Sequence, residues 1–205
     1  MTRIVVLASG SGTNLQALLD AQQTNGLGNG RIVAVISDRP AAKALQRAID
    51  AGLSAHPLPP TEGEPRSDYD RRLSDLIRHV DADLVVLAGW MRILTDTVVK
   101  AHRVINLHPA LPGELPGVRA IERAFDEFTA GVRSQTGVMV HEVPDEGVDS
   151  GPVLASAVVP IEPADSLEDL ENRIHATEHR LLVDTIAQLC GTPSFRTGEP
   201  EGTPQ

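Results

Sequence analysis

Short apolar runs rich in Val and Ile recur along the chain, and between them apolar residues return at three- and four-residue spacings. "RIVVLA", "RIVAVIS", "DLVVLAG" and "RVINLHP" read as strands. Near-continuous apolar runs of that length suit strands covered on both faces. "NLQALLDAQ", "AAKALQRAIDAG" with Gly52 as its stop, a segment around 68–80 and a short one near 96–101 read as helices, with a Pro-rich loop "PLPPTEGEPR" among them. This alternation predicts a doubly wound, mostly parallel α/β sheet, Rossmann-like in architecture. A helix over 121–130 follows, then the runs "SQTGVMVHEV" and "GPVLASAVVPI". Their short connection "PDEGVDS" predicts an antiparallel C-terminal strand pair. A long C-terminal helix opens at Ser166, with Asp169 three residues on to complete a cap. "GTPSFRTGEPEGTPQ" has almost nothing to bury, so a single domain over 1–190 with a flexible tail over 191–205 is expected.

Composition narrows the partners. At 205 residues and 41% hydrophobic content the chain builds an ordinary core, while a net charge of −10 disfavours nucleic acid or an acidic membrane surface. An anionic small molecule must therefore be held by local devices. Cys190 is the one cysteine, which permits no internal disulfide and matches no zinc pattern. The N-terminal apolar run, Ile4 to Ala8, is too short for a signal segment, and nothing approaches 18 apolar residues. A cytoplasmic protein without a membrane partner is expected.

Three stretches carry chemistry. In "ASGSGTNLQALL", Gly10 and Gly12 fall where the first strand turns into the first helix, where backbone N–H groups and the helix N-terminus favour an anion. The dinucleotide fingerprint is incomplete, with Leu15 at the third glycine position, although Asp38 after strand two keeps an NAD reading open. A single phosphate is the preferred occupant; a ligand-free tight turn is the plain alternative. "HATEH", His175 to His179, matches a zinc-protease pattern but lacks a convincing third ligand, so no metal is expected. Glu178 continues an apolar row of Leu167, Leu170 and Ile174, either reaching for solvent or awaiting a ligand. "INLHPALPG" sets Asn106 and His108 on one face of a strand, since side chains alternate with a period of two. Asp149, in the turn "PDEGVDSGP", is the candidate carboxylate partner, with Gly147 and Gly151 beside it to allow unusual backbone angles. Asp, His and Asn without a Ser or Cys nucleophile suit acyl transfer to a substrate that brings its own nucleophile. A core histidine and a turn-forming aspartate are the bland alternative.

Taken in order, "SGSGTNLQAL", "LAGWMRIL", "NLHPALPG", "DEGVDSGP" and "ATEHRLL" resemble the folate-dependent phosphoribosylglycinamide formyltransferases of purine synthesis, over Arg3 to Leu189. The resemblance implies the same α/β formyltransferase fold. It also implies formyl transfer from 10-formyltetrahydrofolate, as co-substrate, to the amine of glycinamide ribonucleotide. Asn106, His108 and Asp149 match the catalytic set. Gly12, Thr13 and Asn14, with His175, Ala176, Thr177 and Glu178 opposite, match the nucleotide site. Arg66, Met91, Arg92, Ile93, Leu94, Asn106 and the loop Asp145, Glu146, Gly147, Val148, Asp149 match the folate site. The loop "ALPGELPG" and the turn "DEGVD" depart from the commoner family forms, which bears on the shape of the folate loop.

Two alternatives share part of this pattern. Formyltetrahydrofolate deformylases resemble the chain at the same triad but carry an extra N-terminal domain, and here the first strand begins at Arg3. A non-catalytic nucleotide-binding module would use the glycine loop and leave Asn106, His108 and Asp149 unexplained. Whether the protein is a monomer or a homodimer is left open by the sequence.

Overall fold

The structure is a computed structural model and describes residues 1–191; of the tail expected over 191–205, Gly191 instead ends the last helix and the rest lies outside the described residues. Seven strands form one sheet in the order β3-β2-β1-β4-β5-β6-β7. They are β1 (Thr2–Leu7), β2 (Gly30–Ser37), β3 (Ser54–Pro57), β4 (Leu84–Leu87), β5 (Val104–His108), β6 (Gln135–Glu142) and β7 (Val153–Pro160). The first five pair in parallel. β6 and β7 pair antiparallel, as their short connection requires. The antiparallel part begins one pairing earlier, because β6 also runs against β5.

Alternation along β1 shows why the sheet is buried on both sides. Ile4 and Val6 join one apolar cluster with Leu15 and Leu18 of α1 (Thr13–Gln23), Ala44 of α2 (Lys43–Asp50) and Ile174 of α6 (Leu167–Gly191). Phe125 of α5 (Ala120–Thr129) packs against the same cluster. Val5 and Leu7 join the other, with Tyr69, Leu73 and Ile77 of α3 (Arg66–His79) and Val98 of α4 (Asp96–Val99). Two helical layers thus cover a sheet of β-branched residues.

Ser166 and Asp169 cap α6 reciprocally. The Asp169 backbone N–H donates to Ser166 Oγ at 3.2 Å, and the Ser166 backbone N–H donates to Asp169 Oδ2 at 3.0 Å. β3 is the one strand that periodicity does not predict. It is four residues long, half-exposed and ends in Pro57, so it reads locally as loop. The strand order reverses between β2 and β4, on either side of β1, and open α/β sheets bind ligands at the carboxyl ends of such strands.

Candidate active site

A cavity of about 640 Å³ opens at that point, between the segment following β1 and the segment following β4. Its walls bring together Gly12, Thr13, Asn14, Met91, Arg92, Ile93, Leu94, Asn106, His108, Asp145, Gly147, Val148, Asp149, His175 and Glu178. Arg66, Glu146, Ala176 and Thr177 do not line it. Arg66 is instead ion-paired with Glu146, which ties the start of α3 to the Asp145–Asp149 loop. Ala176 is exposed, and the Thr177 hydroxyl donates back to the Arg173 carbonyl on its own helix.

The glycine loop builds the polar end. Gly12 takes the left-handed conformation at φ 70° directly before α1, and among the described residues no side chain caps that helix, so its first-turn N–H groups lie at the cavity wall without a side-chain acceptor there. Glycine is needed here for the fold as well, because a Cβ would lie 2.8 Å from Ala44 Cα. Gly10 is different: a Cβ there would meet nothing within 4 Å. Across the cavity Glu178 is buried rather than reaching for solvent, and it accepts a hydrogen bond from Asn14 Nδ2 at 3.2 Å. Burial pushes its carboxyl above the ordinary range, against the opposing pull of Asn14 and His175. Among the described residues no three His, Cys, Asp or Glu side chains gather as a metal set.

The predicted triad is assembled around Asp149. Its Oδ1 accepts from Asn106 Nδ2 at 3.0 Å, and its Oδ2 lies 3.3 Å from His108 Nδ1. Oδ2 also accepts the Gly117 backbone N–H at 2.7 Å. Asp149 itself sits at φ 51°, a left-handed position that costs a non-glycine residue about 1–3 kcal/mol. The sequence reading gave unusual angles to Gly147 and Gly151; the structure corrects this. Those two glycines provide room: a Cβ on Gly151 would sit 1.8 Å from the Glu142 carbonyl oxygen, and one on Gly147 2.5 Å from Ser150 Oγ.

Burial and partners set the charges. The Asp149 carboxyl is buried, which alone would raise its pKa, but the His141 ring beside it, the bond from the Gly117 N–H and the nearby His108 ring outweigh that and hold it below the usual range. Burial pushes the His108 imidazole below its ordinary value, and the nearby Asp149 charge only partly opposes this. A nearby carboxylate by itself favours the imidazolium, but here desolvation is the larger effect. The ring has acceptors at both edges, Asp149 at Nδ1 and the Leu115 carbonyl 3.0 Å from Nε2, so an imidazolium here would be held on both sides.

His141 is the residue the sequence reading missed. It is the register partner of Asn106 across β5 and β6, fully buried, with Nε2 3.2 Å from Asn106 Nδ2 and 3.5 Å from Asp149 Oδ1. Its Nδ1 faces the Glu142 carbonyl at 2.8 Å, which places the neutral ring's proton on Nδ1 and leaves Nε2 to accept from Asn106. Both N–H groups of the Asn106 amide are thereby engaged in this state. Its signal was a histidine interrupting a buried strand, meaningful only once β6 is known to lie against β5.

The apolar end of the cavity comes from Trp90, Leu94 and Val143, with Met91, Ile93 and Val148 exposed at its lip. Arg92 lays its guanidinium over the Tyr69 ring, 4.3 Å from the centroid. Arg39, from the loop after β2, adds a cation to the polar wall that strand periodicity does not reveal.

The chain matches the family described as "Formyl transferase" over residues 2–186. The phosphoribosylglycinamide formyltransferase of Dictyostelium discoideum is 42% identical over 201 residues, covering 91% of this chain and 97% of that protein. The Escherichia coli enzyme of the same name is 40% identical over 180 residues, covering 87% of this chain and 82% of its own. The crystal structure of glycinamide ribonucleotide transformylase 1 from Symbiobacterium toebii superposes with a TM-score of 0.86 at 39% identity, covering 93% of this chain and 88% of that one. The chain therefore belongs to the formyl transferase family and, within it, to the phosphoribosylglycinamide formyltransferases.

Proposed function

We propose that this enzyme moves the formyl group of 10-formyltetrahydrofolate onto the primary amine of glycinamide ribonucleotide, releasing tetrahydrofolate. One observation carries the reading. Asn106, His108 and Asp149 meet within hydrogen-bond reach in the wall of a cavity whose two ends differ in chemistry. The uncapped N-terminus of α1, with Glu178 and His175 opposite, suits a phosphorylated sugar. The slot of Trp90, Leu94 and Val143 suits a flat pterin held by backbone hydrogen bonds, with Met91, Ile93 and the Asp145–Asp149 loop at its mouth. Arg66 is the cation available to the anionic tail of the folate, in exchange for Glu146.

The chemistry follows from the charges. The substrate amine attacks the formyl carbon, forming the new C–N bond and placing negative charge on the formyl oxygen. Asn106 turns one amide N–H from His141, the longer of its two bonds at 3.2 Å, to that oxygen. A donor of this kind contributes about 3 kcal/mol in the transition state. His108, neutral at rest because it is buried, takes the proton that the amine loses and delivers it to the departing folate nitrogen as the old C–N bond breaks. Asp149 stabilises the imidazolium formed between those two transfers.

A formyl-transfer assay with glycinamide ribonucleotide supplied or omitted tests this directly. Tetrahydrofolate release that depends on the acceptor is expected; release undiminished without it would instead assign a deformylase. The net charge of −10 supports small-molecule substrates over nucleic acid, and one unpaired cysteine supports a cytoplasmic enzyme. No helix among the described residues is long and apolar enough to cross a membrane.

A further inference from the structure

The loop between β5 and α5, residues 109–119, reaches the triad through two backbone groups. The Leu115 carbonyl lies 3.0 Å from His108 Nε2, and the Gly117 N–H donates to Asp149 Oδ2 at 2.7 Å. Two residues of the local sequence resist this placement. Leu115 at φ 44° and Arg119 at φ 58° are both left-handed non-glycine positions, with Gly117 at φ 80° between them. A loop so wound needs an outside restraint to stay in register with the two side chains it touches.

Arg123, on the first turn of α5, is placed to supply it. Its Nη2 donates to the Leu115 carbonyl at 2.8 Å and to the Pro116 carbonyl at 2.7 Å. The two held carbonyls belong to the residue that meets His108 and to the residue before the one that meets Asp149. A second clamp fixes the upstream half of the loop, where Arg133 Nη1 donates to Glu114 Oε2 at 3.0 Å while the same guanidinium pairs with Glu127 of α5. Arg123 is not among the cavity-lining residues, so it has no direct route to substrate.

We infer that Arg123 is a positioning residue for catalysis, whose guanidinium locks the β5–α5 loop so that Leu115 and Gly117 align His108 and Asp149. The inference rests on the catalytic reading of that pair given above. Both bonds leave one planar Nη2 amino group, whose two N–H directions are fixed by the guanidinium plane; the compact, freely rotating ammonium of lysine lacks that fixed orientation and serves the pair incompletely. Misplacing catalytic groups by a fraction of an ångström lowers turnover while leaving the binding walls in place.

Two variants and two readouts test it. Arg123→Met should lower kcat by about tenfold or more, from the sensitivity of catalysis to alignment, with KM for both substrates within about twofold. Arg123→Lys should fall between Arg123→Met and the parent. In both, the Gly117 amide proton, shifted downfield by its short bond to a carboxylate, should move upfield in proton–nitrogen NMR spectra. An unmoved Gly117 resonance, an unchanged kcat, or KM rising in step with the fall in kcat would each overturn the inference. Asp149→Asn separates the two levels of the argument. If Asp149→Asn is impaired and Arg123→Met is not, the positioning role alone fails; if Asp149→Asn turns over normally, the catalytic reading fails whatever Arg123 does.

Discussion

Two oxygens of Asp149 meet two side chains and a backbone amide, so removing the charge there acts on the chemistry through several contacts at once. Asp149→Asn nearly preserves volume, and the loss in kcat should reach about 10²-fold or more, in the range for positioned acid–base groups. Binding of both substrates should change far less. The His108 titration, followed by NMR, should move lower still, since burial already disfavours the imidazolium and the nearby anion that opposed burial is gone. An Asp149→Asn enzyme with near-normal kcat and an unmoved His108 titration would reduce the carboxylate to a turn former. The same charges set the pH profile. In the proposed mechanism a neutral His108 is the resting base, and its folded pKa lies below the ordinary value of 6.5. As pH falls through that depressed value the ring protonates and kcat/KM is lost, so the acid limb should have its midpoint below about 6.5. Asp149, held below its own usual range, is still charged there. An acid limb centred above 7 would contradict the burial argument.

At the scale of elements, the loop joining β1 to α1 separates two jobs that one glycine-rich string suggests together. Gly12→Val would press against Ala44 and should lower the melting temperature, whereas Gly10→Val projects into open space at the cavity wall. Gly10→Val should therefore raise KM for the nucleotide with folate affinity and melting temperature nearly unchanged; equal weakening of both ligands would argue against an anion at this loop. The cap of α6 is purely structural by comparison. Ser166→Ala removes the acceptor of the Asp169 N–H and should cost about 1 kcal/mol in urea unfolding, with kcat intact. These elements were legible because apolar runs and cap residues are local signals. β3 was not, because "SAHP" forms a strand only by pairing with β2 at the sheet edge. The sense of β6 was not legible either, since a helix between two strands usually returns the chain parallel, and only the assembled sheet shows β6 running against β5. The same gap hid His141, which meets Asn106 only in that register. Asn106 and His108 were legible because two polar residues interrupt one face of a buried strand. The contributions of Leu115 and Gly117 were invisible because they are made by backbone atoms, which side-chain patterns do not encode.

Across the whole molecule, the proposed nucleotide end of the site and the stability of the fold share one residue. α6 packs its buried row, Leu170, Ile174, Leu182 and Ile186, into the apolar cluster that also holds α1, and Glu178 interrupts that row. The carboxylate meets Asn14 of α1, and a buried charge with one long hydrogen bond is poorly compensated in a protein already carrying −10. Its pKa is raised above the reference value of 4.5 by burial, so the linkage has a definite sign. Below the unfolded value the group is protonated in both states and costs nothing. As pH rises above about 4.5 the unfolded chain ionises first, and the penalty on the folded state grows until the folded pKa is passed. Glu178→Gln keeps the shape and an oxygen to accept from Asn14 while removing the charge. The variant should therefore melt higher than the parent at pH 7, by about 2–4 °C if the relief is near 1 kcal/mol, and show little difference at pH 4. Nucleotide binding should move the other way, with KM for the nucleotide rising about tenfold or more as a charged acceptor becomes a neutral one. Melting curves at both pH values, set beside nucleotide KM, decide it. A variant that is less stable at pH 7 would mean that the carboxylate strengthens the α1–α6 contact; one with unchanged KM would remove Glu178 from the nucleotide site.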